Sequence, residues 1–159
     1  MTTKYRIFAV SSICTACMSV LATVADFPAG ADDLGTAVHN GVNQARRSCA
    51  AIGDDPRLTA AAQRHADDML TNGVGGHTGS DGSSPQARIA QAGYSQTGRT
   101  GEIVYWGTGV LATPTAALDA WMNSPPHRAI ILDCAFTAGG FATATDGTRM
   151  TAVGDFAGP

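Results

Sequence analysis

Residues 136–156, FTAGGFATATDGTRMTAVGDF, decide the fold class. Phe136–Thr145 and Arg149–Phe156, separated by the turn Asp146-Gly147, read as an antiparallel hairpin. What precedes them is mostly helical. Thr113-Pro114 sets a capping hydroxyl before a proline at the first helical position, opening a helix through Leu118, Trp121 and Met122 that stops near Ser124-Pro125-Pro126. Helices early and strands late make an α+β fold, helices packed on a small sheet.

Further upstream, Glu102–Trp106 is rich in β-branched and aromatic residues and predicts a strand. Ser84-Pro85 repeats the cap-and-proline start and predicts a short helix ending at Gly93. Between Gly73 and Ser84 the chain is glycine- and serine-rich without apolar periodicity, an irregular loop whose conspicuous side chain is His77. Thr59 is read as the cap of a helix over Ala60–Thr71, stopping at Asn72-Gly73, with Leu58, Ala62, Ala66, Met69 and Leu70 facing inward. Before a break at Gly53–Pro56, Leu34, Val38, Val42 and Ala45 recur at helical spacing, predicting a first helix from an Asp33 cap to Cys49. No repeat or interdomain linker is evident.

At the other end, Lys4 and Arg6 precede the mostly apolar run Ile7–Ala25, and Ala29-Gly30-Ala31 is a small-residue cleavage pattern. Residues 1–31 are read as a signal peptide cut after Ala31, leaving residues 32–159 as a single domain in a secreted, extracellular protein. Two alternatives are an uncleaved anchor, against which Ser12, Thr15, Ser19 and Thr23 dilute the run, and a lipoprotein acylated at Cys17. Cleavage takes away Cys14 and Cys17, so Cys49 and Cys134 remain in a compartment where disulfides persist. One bridge is expected, two buried free thiols being the other reading. The formal charge of the whole chain is −3, which gives no basis for nucleic-acid binding or attraction to an anionic membrane. No membrane span is expected after cleavage, and a monomer is expected.

The chain has four histidines, and its sole glutamate is Glu102. His77, Glu102 and His127 all fall at element ends or in loops, where functional side chains concentrate. Two imidazoles and a carboxylate suit Zn²⁺ or another divalent cation. The plainer reading is a polar cluster in which Glu102 pairs with both rings. His39 and His65 are read as half-exposed helix residues, and Trp106, Trp121, Tyr94 and Tyr105 as core. Ser124 as a nucleophile lacks an orienting acid and oxyanion donors.

Together, HTGSDGSSPQARIAQAGY (77–94), GEIV (101–104) and AALDAWMNSPPHRAIIL (116–132) resemble the bacterial branch of the CAP superfamily, or SCP domain, from Val42 to Phe156. That resemblance implies a three-layer α-β-α sandwich on a mostly antiparallel sheet, with a cleft of two histidines and two glutamates able to hold a divalent metal. His77 matches the first histidine, Glu102 the first glutamate and His127 the second histidine. The second glutamate has no counterpart: Ser124 stands one turn after Trp121, and water, Ser124 or Asp119 would have to fill the place. Ile103 and Pro126 also replace the usual asparagine and glycine.

The expected function is a non-catalytic extracellular binding module whose cleft, His77, Glu102, Ser124 and His127, takes a lipid, a sterol or a surface protein. The alternative is a metal-assisted hydrolase or protease, with metal on His77 and His127 and Glu102 as general base.

Overall fold

The computed structural model describes residues 30–95 and 98–159; residues 1–29 of the expected signal peptide lie outside the described residues. Among them are five α-helices, α1 (Ala31–Ala45), α2 (Pro56–Asn72), α3 (Pro85–Gln91), α4 (Pro114–Asn123) and α5 (Pro125–Ile131), and four strands, β1 (Gly53–Asp54), β2 (Thr100–Thr108), β3 (Ala138–Thr145) and β4 (Arg149–Ala157). The sheet order is β1-β3-β4-β2, with β1 parallel to β3 and the other pairs antiparallel. The fold is therefore α+β with a mixed, mostly antiparallel sheet, as expected.

Alternation along the strands builds the layers. Ile103, Phe141, Met150, Ala152 and Phe156 pack against Val38 and Val42 of α1, Ala117 and Trp121 of α4 and Ile131 of α5. On the opposite face Ala142, Ala144 and Val153 meet Ala62, Ala66 and Met69 of α2. The alanines let α2 lie so close to β3 that a Cβ on Gly140 would run into the backbone of Leu58 and Thr59. Trp121 is buried, and its indole N–H donates to the Val104 carbonyl at 2.8 Å, capping a backbone acceptor of edge strand β2. Such a buried hydrogen bond is worth about 1 kcal/mol net, but leaving the carbonyl orphaned would cost ~1–3 kcal/mol.

Several sequence expectations need correction. The second helix starts at Pro56, capped by Asp55 accepting from the Arg57 N–H, because the Asp-Pro pair is a stronger start than Thr59. The first helix has Gly30, not Asp33, at its N-cap and ends at Ala45, four residues before Cys49, where Arg46 turns inward. His65 is fully buried rather than half-exposed. Gly53-Asp54, read only as a break, forms β1 by pairing with Ala138 and Gly139. Ser124-Pro125-Pro126 ends one helix and starts another: Ser124 is C-cap of α4 and N-cap of α5, and the prolines occupy first-turn positions where no N–H is needed. Cys49 and Cys134 form a disulfide with Cα atoms 5.1 Å apart. Among the described residues no helix is long and apolar enough to cross a membrane.

Candidate functional site

Glu102 lies near the start of β2 and is 5% exposed, so its carboxylate must be satisfied by protein donors. His77 Nδ1 meets Oε1 at 2.7 Å, and Arg88 Nη2 meets Oε2 at 2.6 Å. The Arg88–Glu102 pair is 1% exposed on each side chain. Arg88 also donates to the His77 carbonyl at 3.0 Å and the Ser83 carbonyl at 2.9 Å. One guanidinium thus fixes both the carboxylate and the glycine-rich loop that carries His77. Asp81 steadies the far end of that loop: the Ser83 hydroxyl and N–H, then Arg64, hold its carboxyl down to about 2.

His77, Glu102 and His127 come together. The His77 and His127 rings are 6.4 Å apart between centroids, at 64°. His127 sits in the first turn of α5, half-buried, and burial followed by the neighbouring His77 ring lowers its pKa below the ordinary histidine value. Nδ1 of His77 donates to the Glu102 carboxylate and Nε2 is the ring nitrogen turned away from it, the arrangement of a carboxylate behind a ligating histidine. Two imidazoles around one tetrahedral ion would have centroids ~5 Å apart, from Zn–N bonds of about 2.0–2.1 Å. The rings are wider than this, and both Glu102 oxygens are taken by protein donors. Among the described residues no group of three or more His, Cys, Asp or Glu is arranged to hold a metal ion. As they stand the residues do not fit a bound cation: the cleft offers His77 and His127 alone, with Glu102 behind His77.

Ser124 is the hinge residue between α4 and α5, and its side chain makes no capping hydrogen bond. Asp119 is exposed on α4. Behind the site is a buried polar layer that sequence reasoning missed. Asp155 stands opposite Glu102 in the β2–β4 register and is fully buried, with no hydrogen-bond partner on either oxygen among the described residues. Burial first, and then the Glu102 charge, push its carboxyl well above the usual aspartate range. His65 lies within electrostatic reach of Glu102; its Nε2–H donates to the Gly76 carbonyl at 2.8 Å, and burial holds its pKa down. Arg88 was missed too, though a signal existed: it is the only Lys or Arg between Arg64 and Arg99, opposite the only Glu.

The family model for the cysteine-rich secretory protein family, CAP, matches residues 36–156. Solved structures are similar as well. An outer surface protein from Borrelia burgdorferi has a TM-score of 0.65 at 22% identity, covering 76% of this chain and 89% of its own. An extracellular SCP-domain protein from Bacillus anthracis has a TM-score of 0.67 at 20% identity over 84% of this chain. A cysteine-rich secretory protein from Staphylococcus aureus has a TM-score of 0.60 at 13% identity over 82% of this chain. This chain spans 45% and 40% of the length of the last two. At such identities the likeness is one of fold. No curated protein matches the sequence.

Proposed function

The chain belongs to the CAP, or cysteine-rich secretory protein, family, and from that premise we propose that it is a non-catalytic extracellular binding module whose cleft at His77 and His127 receives the ligand. The observation carrying this reading is the double engagement of Glu102. With Arg88 on one oxygen and His77 on the other, the carboxylate orients a ring and is not free to take a proton from water. No hydroxyl is hydrogen-bonded to either imidazole among the described residues, so a nucleophile-base pair is missing. A divalent cation would need the His77 and His127 rings to close from their 6.4 Å separation, so the binding reading does not depend on one. The family resemblance makes a lipid or sterol the ligand to test first.

An extracellular location is part of the proposal. Residues 1–31 have the composition of a signal peptide, and two similar structures are described as an outer surface and an extracellular protein. The disulfide is consistent with that compartment.

Organic extraction of the purified protein followed by mass spectrometry tests the reading, with a His77→Ala/His127→Ala variant alongside. A lipid recovered from the parent and reduced in the variant is expected. Chelator-sensitive cleavage of a mixed peptide library, lost in Glu102→Gln, would replace the binding reading by hydrolysis.

A further inference from the structure

Val110 and Leu111 are 93% and 57% exposed and are consecutive; among the described residues the only other exposed large hydrophobic is Leu132, at 39%. They form the tip of a 3₁₀ turn, Gly109–Leu111, that follows β2. The turn is braced. Gly109 N–H donates to the Thr148 carbonyl at 2.8 Å, Ala112 N–H to the Gly109 carbonyl at 3.0 Å and Thr113 N–H to the Leu111 carbonyl at 2.9 Å. The Tyr105 hydroxyl adds a bond to that same Leu111 carbonyl at 2.8 Å. Gly109 takes a φ of +56°, which a side chain would resist, and Gly107 has no room for a Cβ beneath the Leu111 backbone. The fold therefore holds two apolar side chains out in water on a rigid support, and contact made through them meets little further ordering cost.

The surroundings select the partner. From Gly107 to Leu118 no side chain is ionisable. The charge beside the tip, Arg149, lies 5.7 Å from the centroid of the Trp106 ring and is paired with Asp146. Trp106 and Tyr105, both partly buried, stand at the base of the turn with an apolar body and a polar handle, the kind of ring that settles at a membrane interface. The two tip side chains expose on the order of 250 Å², a fraction of the ~800 Å² per partner of a standard protein interface, so a protein partner would have to enlist much of the flanking surface. A fluid apolar phase sets no such minimum of shape complementarity. The net charge of −3 disfavours an anionic surface.

We propose that the Val110–Leu111 tip docks the domain reversibly on a lipid bilayer with zwitterionic headgroups, the two side chains entering the acyl boundary and Trp106 and Tyr105 lying at headgroup level. The tip is beyond the far end of β2 from Glu102, about 20 Å along the strand at ~3.3 Å per residue, so the surface is separate from the histidine cleft.

The test uses the full chain and vesicles of phosphatidylcholine. Co-sedimentation of the parent should exceed that of Val110→Asp/Leu111→Asp at least tenfold. Since the apolar run Ile7–Ala25 can itself bind vesicles, a second readout follows the tip. Val110→Trp emission, taken as a difference from the parent, should shift to the blue on adding vesicles and be quenched by brominated lipid, whereas Leu132→Trp stays unshifted. That shift supports the proposal even where the N-terminal run keeps the double variant sedimenting. An unshifted Val110→Trp overturns it, as does binding that appears only with phosphatidylglycerol. Concentration-dependent dimerisation without vesicles, abolished by Val110→Asp/Leu111→Asp, would assign the tip to a second copy and overturn it equally.

Discussion

Replacing Arg88 by methionine keeps most of the apolar stem and removes the guanidinium. In the parent that group donates at 2.6 Å to Glu102, at 3.0 Å to the His77 carbonyl and at 2.9 Å to the Ser83 carbonyl, from a residue 2% exposed. The variant leaves a buried carboxylate with His77 as its remaining donor and two carbonyls without their arginine. Breaking a buried pair from one side costs ~3–5 kcal/mol, a large part of the roughly 5–15 kcal/mol that holds a domain folded. For a chain of this size the melting temperature should fall by about 10–15 °C. Urea and thermal unfolding of Arg88→Met, Glu102→Gln and the double variant measure the coupling. The double variant should be less destabilised than the sum of the singles, because no unpaired charge stays buried. A loss below about 1 kcal/mol for Arg88→Met, or strict additivity in the cycle, would refute the assignment of Arg88 as the anchor of the site.

Other outcomes follow from the same coordinates. Removing the disulfide that closes 85 residues should cost up to ~4–5 kcal/mol in the loop-closure picture and raise hydrogen exchange in α5 before β3 and β4; unchanged exchange around His127 would disconnect bridge from site. Asp155 has a raised folded-state pKa, so its stabilising contribution is complete below about pH 3.9 and is lost as pH rises toward that raised value. Asp155→Asn should therefore gain stability relative to the parent from acid to neutral pH, and a pH-independent difference in denaturant melts would contradict the raised pKa. Gly140→Ala must push α2 off β3 and should destabilise by more than the ~1–3 kcal/mol of ordinary overpacking; a neutral result would mean the helix can yield. Elemental analysis of the purified protein should find divalent metal, if carried, lost in His127→Ala and bound ~10–100-fold more weakly in Glu102→Gln; equal content in all three would remove the metal from the cleft.

Local chemistry explains what could be read in advance. The hairpin over residues 138–157 and the starts of α3 and α4 were legible because a turn, or a hydroxyl before a proline, acts within a few residues. His77, Glu102 and His127 were legible as rare residue types at element ends. What escaped was decided at long range. β1 has two residues and exists through the backbone of β3. His65 is buried because small neighbours draw α2 onto the sheet. Arg88 meets Glu102 across 14 positions, and Asp155 meets it across a strand register that no spacing reveals. The start of α5 was hidden by a double proline that serves as stop and start at once.

The sheet order also sets a timetable. β3 and β4 are its two middle strands and the last to be synthesised, and β2 pairs with β4 alone among the described strands. Until residues 138–157 have emerged, α1 and α2 lack the sheet on which they bury much of their apolar faces, and β1 and β2 have no partner strand. The order of strands in the sheet therefore makes completion of the sandwich wait for the last hairpin, whatever helices have formed before it.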